Sequence, residues 1–428
     1  MAIQANLREN LHGRIVRRAA AAAILAICIA TPASFSMAQD AGVLDAQFRN
    51  WLSRDLWPEA ARRGISQADF NSAFSGVSLN LKLPDLVIPG QKKTVPRKQH
   101  QAEFRAPSAY FREAVIGGVV SGGRPRLQRH AATLKAIERE TGVPGRIAVA
   151  IWGRESGFGR AKLPYNAFEV LGTKAFMSTR KDYFRGELLA ALEMVSRRHV
   201  NPRALMGSWA GALGQPQFMP SSYLAHARDG DGDRVADIWR SEADTLASIA
   251  GYLADKGWVR GRDWGFEVTV PETVSCAMEG PDRGMPISRW EALGVRRVNG
   301  KPFPAHERAG EGYLMMPAGR HGPAFIVTPN FYVLKEYNTS DLYALFVGHA
   351  GDRMQYNSPA FSASWNDTGE MYRSEIAAMQ RGLERLGYDV GGADGLPGFK
   401  TRRSIGDWQA KSGLQPTCFP TRQLAKRF

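Results

Sequence analysis

Hydrophobic positions along the chain divide it into segments of different character. An unbroken apolar run, AAAAAILAICIA at residues 19–30, follows four arginines, Arg8, Arg14, Arg17 and Arg18. From Asp40 to Phe74 apolar residues recur at helical spacing, with Phe48, Trp51, Leu52 and Leu56 on one face. Residues 84–108 are basic and punctuated by proline, and read as an extended connection. Helical patterning resumes from Tyr110 to Glu138, and residues 144–260 are the stretch densest in Gly and Trp. Residues 261–335 alternate Pro and Gly turns with β-rich runs, FEVTV at 266–270 and AFIVT at 324–328. A further helix is predicted from Asp341, capped by Ser340 or Thr339. Residues 356–370 are small and polar and read as a linker. The last stretch, 371–428, reads as helix, Gly turn, helix. Ile376, Met379, Leu383 and Leu386 share one face, Gly387 closes the first helix, and Phe399, Ile405 and Trp408 mark the second. The expected fold is mainly α, with a small β-rich insertion and a helical C-terminal unit.

Composition sharpens this outline. With 428 residues, 44% of them apolar, the chain has material for two to three cores at roughly 150 residues each. Disorder, collagen and a multi-span membrane protein are excluded, because no long hydrophobic run recurs after the first. The basic, apolar and small-residue segments at the start, ending in S-M-A, form a secretory signal peptide cut after Ala38. Its apolar core falls short of the ~20 residues a spanning helix needs. Ile27, ahead of Cys28, argues against a lipoprotein. The expected location is the periplasm, with no integral membrane span in the mature protein. Net charge is +15, and because the signal segment holds four arginines against Glu9, the remainder keeps about +12. So basic a mature chain suits a polyanion: nucleic acid, an acidic membrane surface or an acidic polysaccharide. Of its cysteines only Cys276 and Cys418 remain, as a pair or as two free thiols.

One segment carries candidate chemistry. VPGRIAVAIWGRESGFGR reads as a helix starting near Pro144, with Ile147, Ile151 and Trp152 on its apolar side and Gly157 and Gly159 ending it. Glu155 then sits in the last turn, where the helix dipole and burial both oppose ionisation. A carboxyl so placed suits a general acid. The alternative is a solvent-facing Glu paired with Arg154 or Arg160.

The E-S-G-F segment resembles the catalytic helix end of lysozyme-like lytic transglycosylases. GSWAGALGQPQFMPSSY (207–223) is similar to the substrate-groove loop and helix of the membrane-bound lytic transglycosylase B family, and NFYVLKEYN (330–338) to that family's Y-N segment. The resemblance implies a lysozyme-like fold over residues 39–360, after a signal peptide at 1–38. It implies cleavage of the MurNAc-β-1,4-GlcNAc bond of peptidoglycan with formation of 1,6-anhydro-MurNAc ends. Glu155 would be the single acid/base, and no cofactor is required for that chemistry. Ser156, Ser208, Gln215, Gln217, Tyr223, Tyr337 and Asn338 become the candidate substrate-binding residues. Small residues here let a sugar approach the backbone, and Trp209, Phe218 and Tyr223 offer ring faces. Asp182 and Glu187 lie nearby in sequence, but nothing marks either as a second catalytic carboxylate. A water-using muramidase would need one.

Residues 229–239, DGDGDRVADIW, have the spacing of a Ca²⁺ loop. Asp229, Asp231 and Asp233 stand at positions 1, 3 and 5, and the Val235 carbonyl at position 7. The loop (229–244) departs from the full pattern: Arg234 replaces Gly at position 6, and Arg240 stands where a Glu is expected. Asp237, Glu242 or Asp244 is left to supply the closing carboxylate. A structural Ca²⁺ is expected, as the resembled family carries one there; the alternative is a solvated turn satisfied by arginines.

The C-terminal stretch, after a linker at 361–370, resembles the three-helix peptidoglycan-binding domain in its L-G-Y (386–388) and D-G-x-x-G-x-x-T (394–401) segments. Tethering to a polymer raises effective substrate concentration. The implied partners are peptidoglycan glycan strands and other cell-wall enzymes, and the function is cell-wall remodelling and turnover. A scaffold without activity and a nucleic-acid or membrane-surface binder are the rival readings; no nucleic-acid motif is present and export takes the chain away from nucleic acid.

Overall fold

The computed structural model describes residues 33–88, 107–197, 200–369 and 371–428. The expected signal peptide lies outside the described residues as far as residue 32, as does 89–106 of the basic connection. Phe48–Phe428 form one compact unit, and the stretch ending at Gln47 a separate one.

The architecture is mainly helical, as expected. The helix Gly145–Ser156 runs through the middle of the largest core, with Ile147, Ile151 and Trp152 fully buried. Pro144 precedes it in extended conformation, fixed there by its ring, and leaves the first turn free to start. The helices Glu113–Arg129, Ala131–Thr141, Glu242–Asp255 and Asp341–Tyr356 pack around it. The last begins where the sequence placed it, with the Ser340 hydroxyl accepting the Tyr343 amide. A second core lies under the helices Ala167–Met177 and Lys181–Ser196, where Phe48, Phe168, Leu171 and Leu188 pack with Phe218.

The β-rich insertion is an antiparallel five-stranded sheet, ordered Met285–Pro286, Glu311–Met315, Ala324–Val327, Gly265–Thr269, Arg296–Arg297. Phe266 faces Ile326 in register, and with Trp290 these residues build a third core. Cys276 and Cys418 belong to that core and form a disulfide, which settles the two alternatives the sequence left open.

The C-terminal stretch forms the helices Arg373–Arg385, Phe399–Lys411 and Arg422–Ala425 around Met379, Leu383 and Ile405. Leu386 departs from expectation: it lies just past the first helix and is 58% exposed. The segment read as a linker is bound down along its length. Phe361 stacks on His349, Trp365 on Phe111, and Glu267 accepts the amides of Ser362 and Ala363.

Candidate active site

The chain turns sharply after Glu155. Gly157, Phe158 and Gly159 all take left-handed backbone angles, at φ of 57°, 64° and 75°. Such a conformation is costly for phenylalanine and persists only where packing enforces it. Packing does so here. The Phe158 ring sits edge-on to Trp152, and a Cβ on Gly122 or Gly153 would come within 2.6 Å of it. The glycines of E-S-G-F-G thus let the helix stop abruptly, with Glu155 in its final turn.

Glu155 is half-buried, and its Oε1 accepts a 2.5 Å hydrogen bond from the Tyr343 hydroxyl. Burial raises its pKa above the ordinary carboxylate value; the Tyr343 bond and the Arg154 charge oppose this without reversing it. Arg154 itself turns away, donating to the Tyr110 hydroxyl and lying over the Tyr110 and Phe346 rings. The ion-paired reading of Glu155 therefore does not hold. A carboxyl so held keeps its proton to higher pH than an ordinary glutamate does.

Tyr337 lies parallel to Tyr343, ring centres 6.5 Å apart, and donates to the Pro216 carbonyl at 2.7 Å. It thereby joins the Tyr343 corner to the turn Gly214–Gln217. In that turn Gln217 holds a second left-handed non-glycine backbone, φ 54°, with its Nε2 donating to the Gly214 carbonyl. Ser208, half-buried, accepts the Ala212 amide and orders the Gly207–Leu213 loop. Trp209 stands at the tip of that loop, 48% exposed, with the Lys174 ammonium 5.2 Å from its ring centre.

Four residues assigned to substrate by the sequence have other engagements. Gln215 is buried; its Oε1 accepts from Trp152 Nε1 and its Nε2 donates to the Trp239 carbonyl, so the amide staples the Glu155 helix to the acidic loop. Ser156, also buried, donates to the Trp152 carbonyl and accepts the Gly159 amide. Tyr223 is 5% exposed, donates to the Ala236 carbonyl, and burial pushes its pKa up to about 12. Asn338 is exposed and accepts the Ser340 amide, turning the chain between two helices. For Ser156, Gln215 and Tyr223 the reason is the same: buried polar groups must find partners inside the protein, whereas Asn338 remains open to water.

A model described as the transglycosylase SLT domain matches residues 47–352. The chain belongs to this transglycosylase family. Residues 372–427 match a peptidoglycan binding domain. The chain is 33% identical over 280 residues, 63% of its length and 72% of the relative's, to membrane-bound lytic murein transglycosylase B of Escherichia coli (strain K12). SltB3 of Pseudomonas aeruginosa in complex with NAG-NAM-pentapeptide superposes at TM-score 0.78 and 33% identity, covering 89% of this chain and 99% of that one. A lytic transglycosylase Slt35 of Escherichia coli in complex with calcium matches at TM-score 0.51 and 28% identity, over 60% and 80% of the two chains. The protein is a peptidoglycan lytic transglycosylase.

The transglycosylase's acidic loop is only partly as expected. Oxygens of Asp229, Asp231 and Asp244 lie within 4.8 Å of one another. Asp244, fully buried in the first turn of the helix Glu242–Asp255, is the third carboxylate of this cluster. Arg234 takes the left-handed angle, φ 72°, that the usual glycine would take. Asp233, which accepts the Val235 amide, and Asp237, which pairs with Arg240, lie outside that cluster. Val235 is 53% exposed. Glu187, the one nearby carboxylate buried on the helix Lys181–Ser196, accepts both the amide and hydroxyl of Ser221, and Asp182 is exposed.

Tyr343 is the residue that sequence reasoning missed. The helix pattern DLYALFVGHAGDRM was legible, but a tyrosine in an apolar stripe reads as core. Among the described residues no helix is long and apolar enough to cross a membrane.

Proposed function

We propose that Glu155 is the single acid/base of a non-hydrolytic cleavage of the MurNAc-β-1,4-GlcNAc bond. The observation that carries this reading is the half-buried carboxyl with raised pKa, hydrogen-bonded to Tyr343 and, among the described residues, to no basic group. Protonated Glu155 gives its proton to the leaving glycosidic oxygen, while the substrate's own N-acetyl group stabilises C1. The carboxylate so formed takes the proton of the C6 hydroxyl, whose oxygen closes on C1. The product is a 1,6-anhydro-MurNAc end, and Glu155 returns to its starting state. Ser208, Gln217 and Tyr337 line the acetamide side, Asn338 the corner beside Tyr337, and Trp209 offers a ring face to a sugar; Ser156, Gln215 and Tyr223 hold this frame from behind.

Asp229, Asp231 and Asp244 fit a Ca²⁺ ion, because hard oxygen donors converge there and like charges need a cation between them. The ion would supply a structural cross-link between the loop and the helix Glu242–Asp255. The C-terminal unit binds peptidoglycan strands, and the enzyme acts in cell-wall remodelling and turnover after export to the periplasm.

The test is mass spectrometry of sacculi digested by the mature protein beside Glu155→Gln. Products one water lighter than reducing muropeptides, absent with the variant, are expected. Reducing products would make the enzyme a hydrolase and require a second carboxylate.

A further inference from the structure

The C-terminal unit and the catalytic unit share a buried ionic node. Arg402, on the helix Phe399–Lys411, is 4% exposed. Its Nε and Nη2 grip Glu279 bidentately at 2.9 and 2.6 Å, Nη2 also reaches Asp341 at 3.1 Å, and Nη1 donates to the Pro397 carbonyl. Glu279, fully buried, follows Cys276 by three residues, so the disulfide to Cys418 and the ion pair clamp the same face. Close approach is built in: a Cβ on Gly406 would lie 2.2 Å from the Cys418 sulfur, and one on Gly319 2.1 Å from the Thr417 carbonyl.

The other arm of the node leads to the catalytic centre. Asp341 is the first residue of the helix carrying Tyr343, and its second oxygen accepts from Lys335 at 2.6 Å. Lys335 precedes Tyr337 by two residues on the helix Pro329–Tyr337. One guanidinium from the C-terminal unit thus holds, through Asp341 and Lys335, the corner from which Tyr337 and Tyr343 project. Burial works against the Asp341 charge, but Lys335 and Arg402 outweigh it and keep its pKa below the ordinary value. Tyr332, its buried hydroxyl without a partner among the described residues, and the Met315 sulfur complete the surroundings.

We propose that Arg402 is a positioning residue for transglycosylation: it anchors Asp341, and through that helix start it sets the hydrogen bond from Tyr343 to Glu155. The C-terminal unit is then part of the catalytic frame as well as a wall anchor. This rests on Glu155 being the acid/base, which the Glu155→Gln digestion tests independently.

The experiment measures pH–rate profiles on a soluble, uncrosslinked GlcNAc–MurNAc oligosaccharide, whose turnover does not depend on wall anchoring. The groups facing Glu155 are Tyr343, Tyr337 and Arg154, and the Arg402 and Glu279 substitutions change none of them. Arg402→Met leaves Glu279 buried without a partner, so the double variant Arg402→Met/Glu279→Met is assayed beside it, with thermal unfolding and sacculus binding as controls for folding and anchoring. Expected is a folded double variant that still binds sacculi, with kcat lower by roughly tenfold and its basic limb displaced upward, in the direction given by Tyr343→Phe. Adding Tyr343→Phe to the double variant should displace it no further. An unchanged profile and kcat, or a loss confined to sacculus binding or KM, overturns the proposal.

Discussion

The Tyr343 hydroxyl donates to Glu155 Oε1 across 188 positions of sequence, joining the end of one buried helix to the start of another. The donor sits in the first turn of its helix, two residues after Asp341, while the acceptor lies in the last turn of its own. A hydrogen bond to the charged form favours that form, so Tyr343 restrains the rise in pKa that burial imposes on Glu155.

Tyr343→Phe removes that restraint. The Glu155 pKa rises further, the protonated acid persists to higher pH, and the basic limb of the kcat profile moves upward. The turnover at the optimum should fall roughly tenfold through lost orientation. A limb that stays in place, or moves down, would show that Glu155 does not govern it.

His349 makes folding sensitive to acid. It is 6% exposed, stacked on Phe361, and burial beside Arg353 lowers its pKa to about 3. A histidine whose folded pKa lies below its unfolded one adds stability that is present above about pH 6.5 and lost as pH falls towards 3. At pH 5 the loss is about 2 kcal/mol. Denaturant unfolding of His349→Gln at pH 7.5 and 5 should show a pH difference smaller by that amount; an equal difference in both proteins would assign the acid sensitivity elsewhere.

Replacing both Cys276 and Cys418 by serine opens a loop spanning 142 residues. Loss of so long a closure should cost about 5 kcal/mol in equilibrium unfolding, with the core otherwise intact. Reductant should bring the wild-type protein to the same stability. Coincident curves for oxidised wild type and the double variant would count against a stabilising bridge.

Calcium should raise the melting temperature and chelator lower it, since an ion bound only by the folded state stabilises by about 2.7 kcal/mol at a hundred times Kd. Asp231→Asn, at an exposed ligand position, should abolish the response while leaving the apo melting temperature nearly unchanged. Equal responses in the two proteins would remove Asp231 from the ligand set.

Trp209→Ala should raise KM for soluble glycan up to about tenfold with little change in kcat, because an exposed ring contributes binding common to ground and transition states. Lys174→Met, which removes the cation over that ring, should act in the same direction more weakly. A kcat effect without a KM effect would move Trp209 from binding to chemistry.

Local pattern was enough to read the helices around Glu155, the cap at Ser340, the strands at 265–269 and 324–327 and the mainly helical class, because periodicity and caps are properties of neighbouring residues. The Asp loop was legible too, and so was the doubt about its closing ligand. The special backbone of Phe158 was not, because only the ring's burial against Trp152, Gly122 and Gly153 makes that angle tolerable. Gln215 and Tyr223 looked like groove residues since an amide and a phenol suit sugars; burial turned them inward, to Trp152 and Ala236.

The sequence by itself determined which segments become helix and strand, where Glu155 stands on its helix and where the acidic loop lies. Tertiary structure alone decided that Tyr343 meets Glu155, that Asp244 joins the acidic cluster, that Cys276 pairs with Cys418 and that Arg402 reaches Asp341. Each of these joins residues far apart in the chain, and its strength comes from burial that strips water from both partners. Burial of that kind exists only once the cores have assembled.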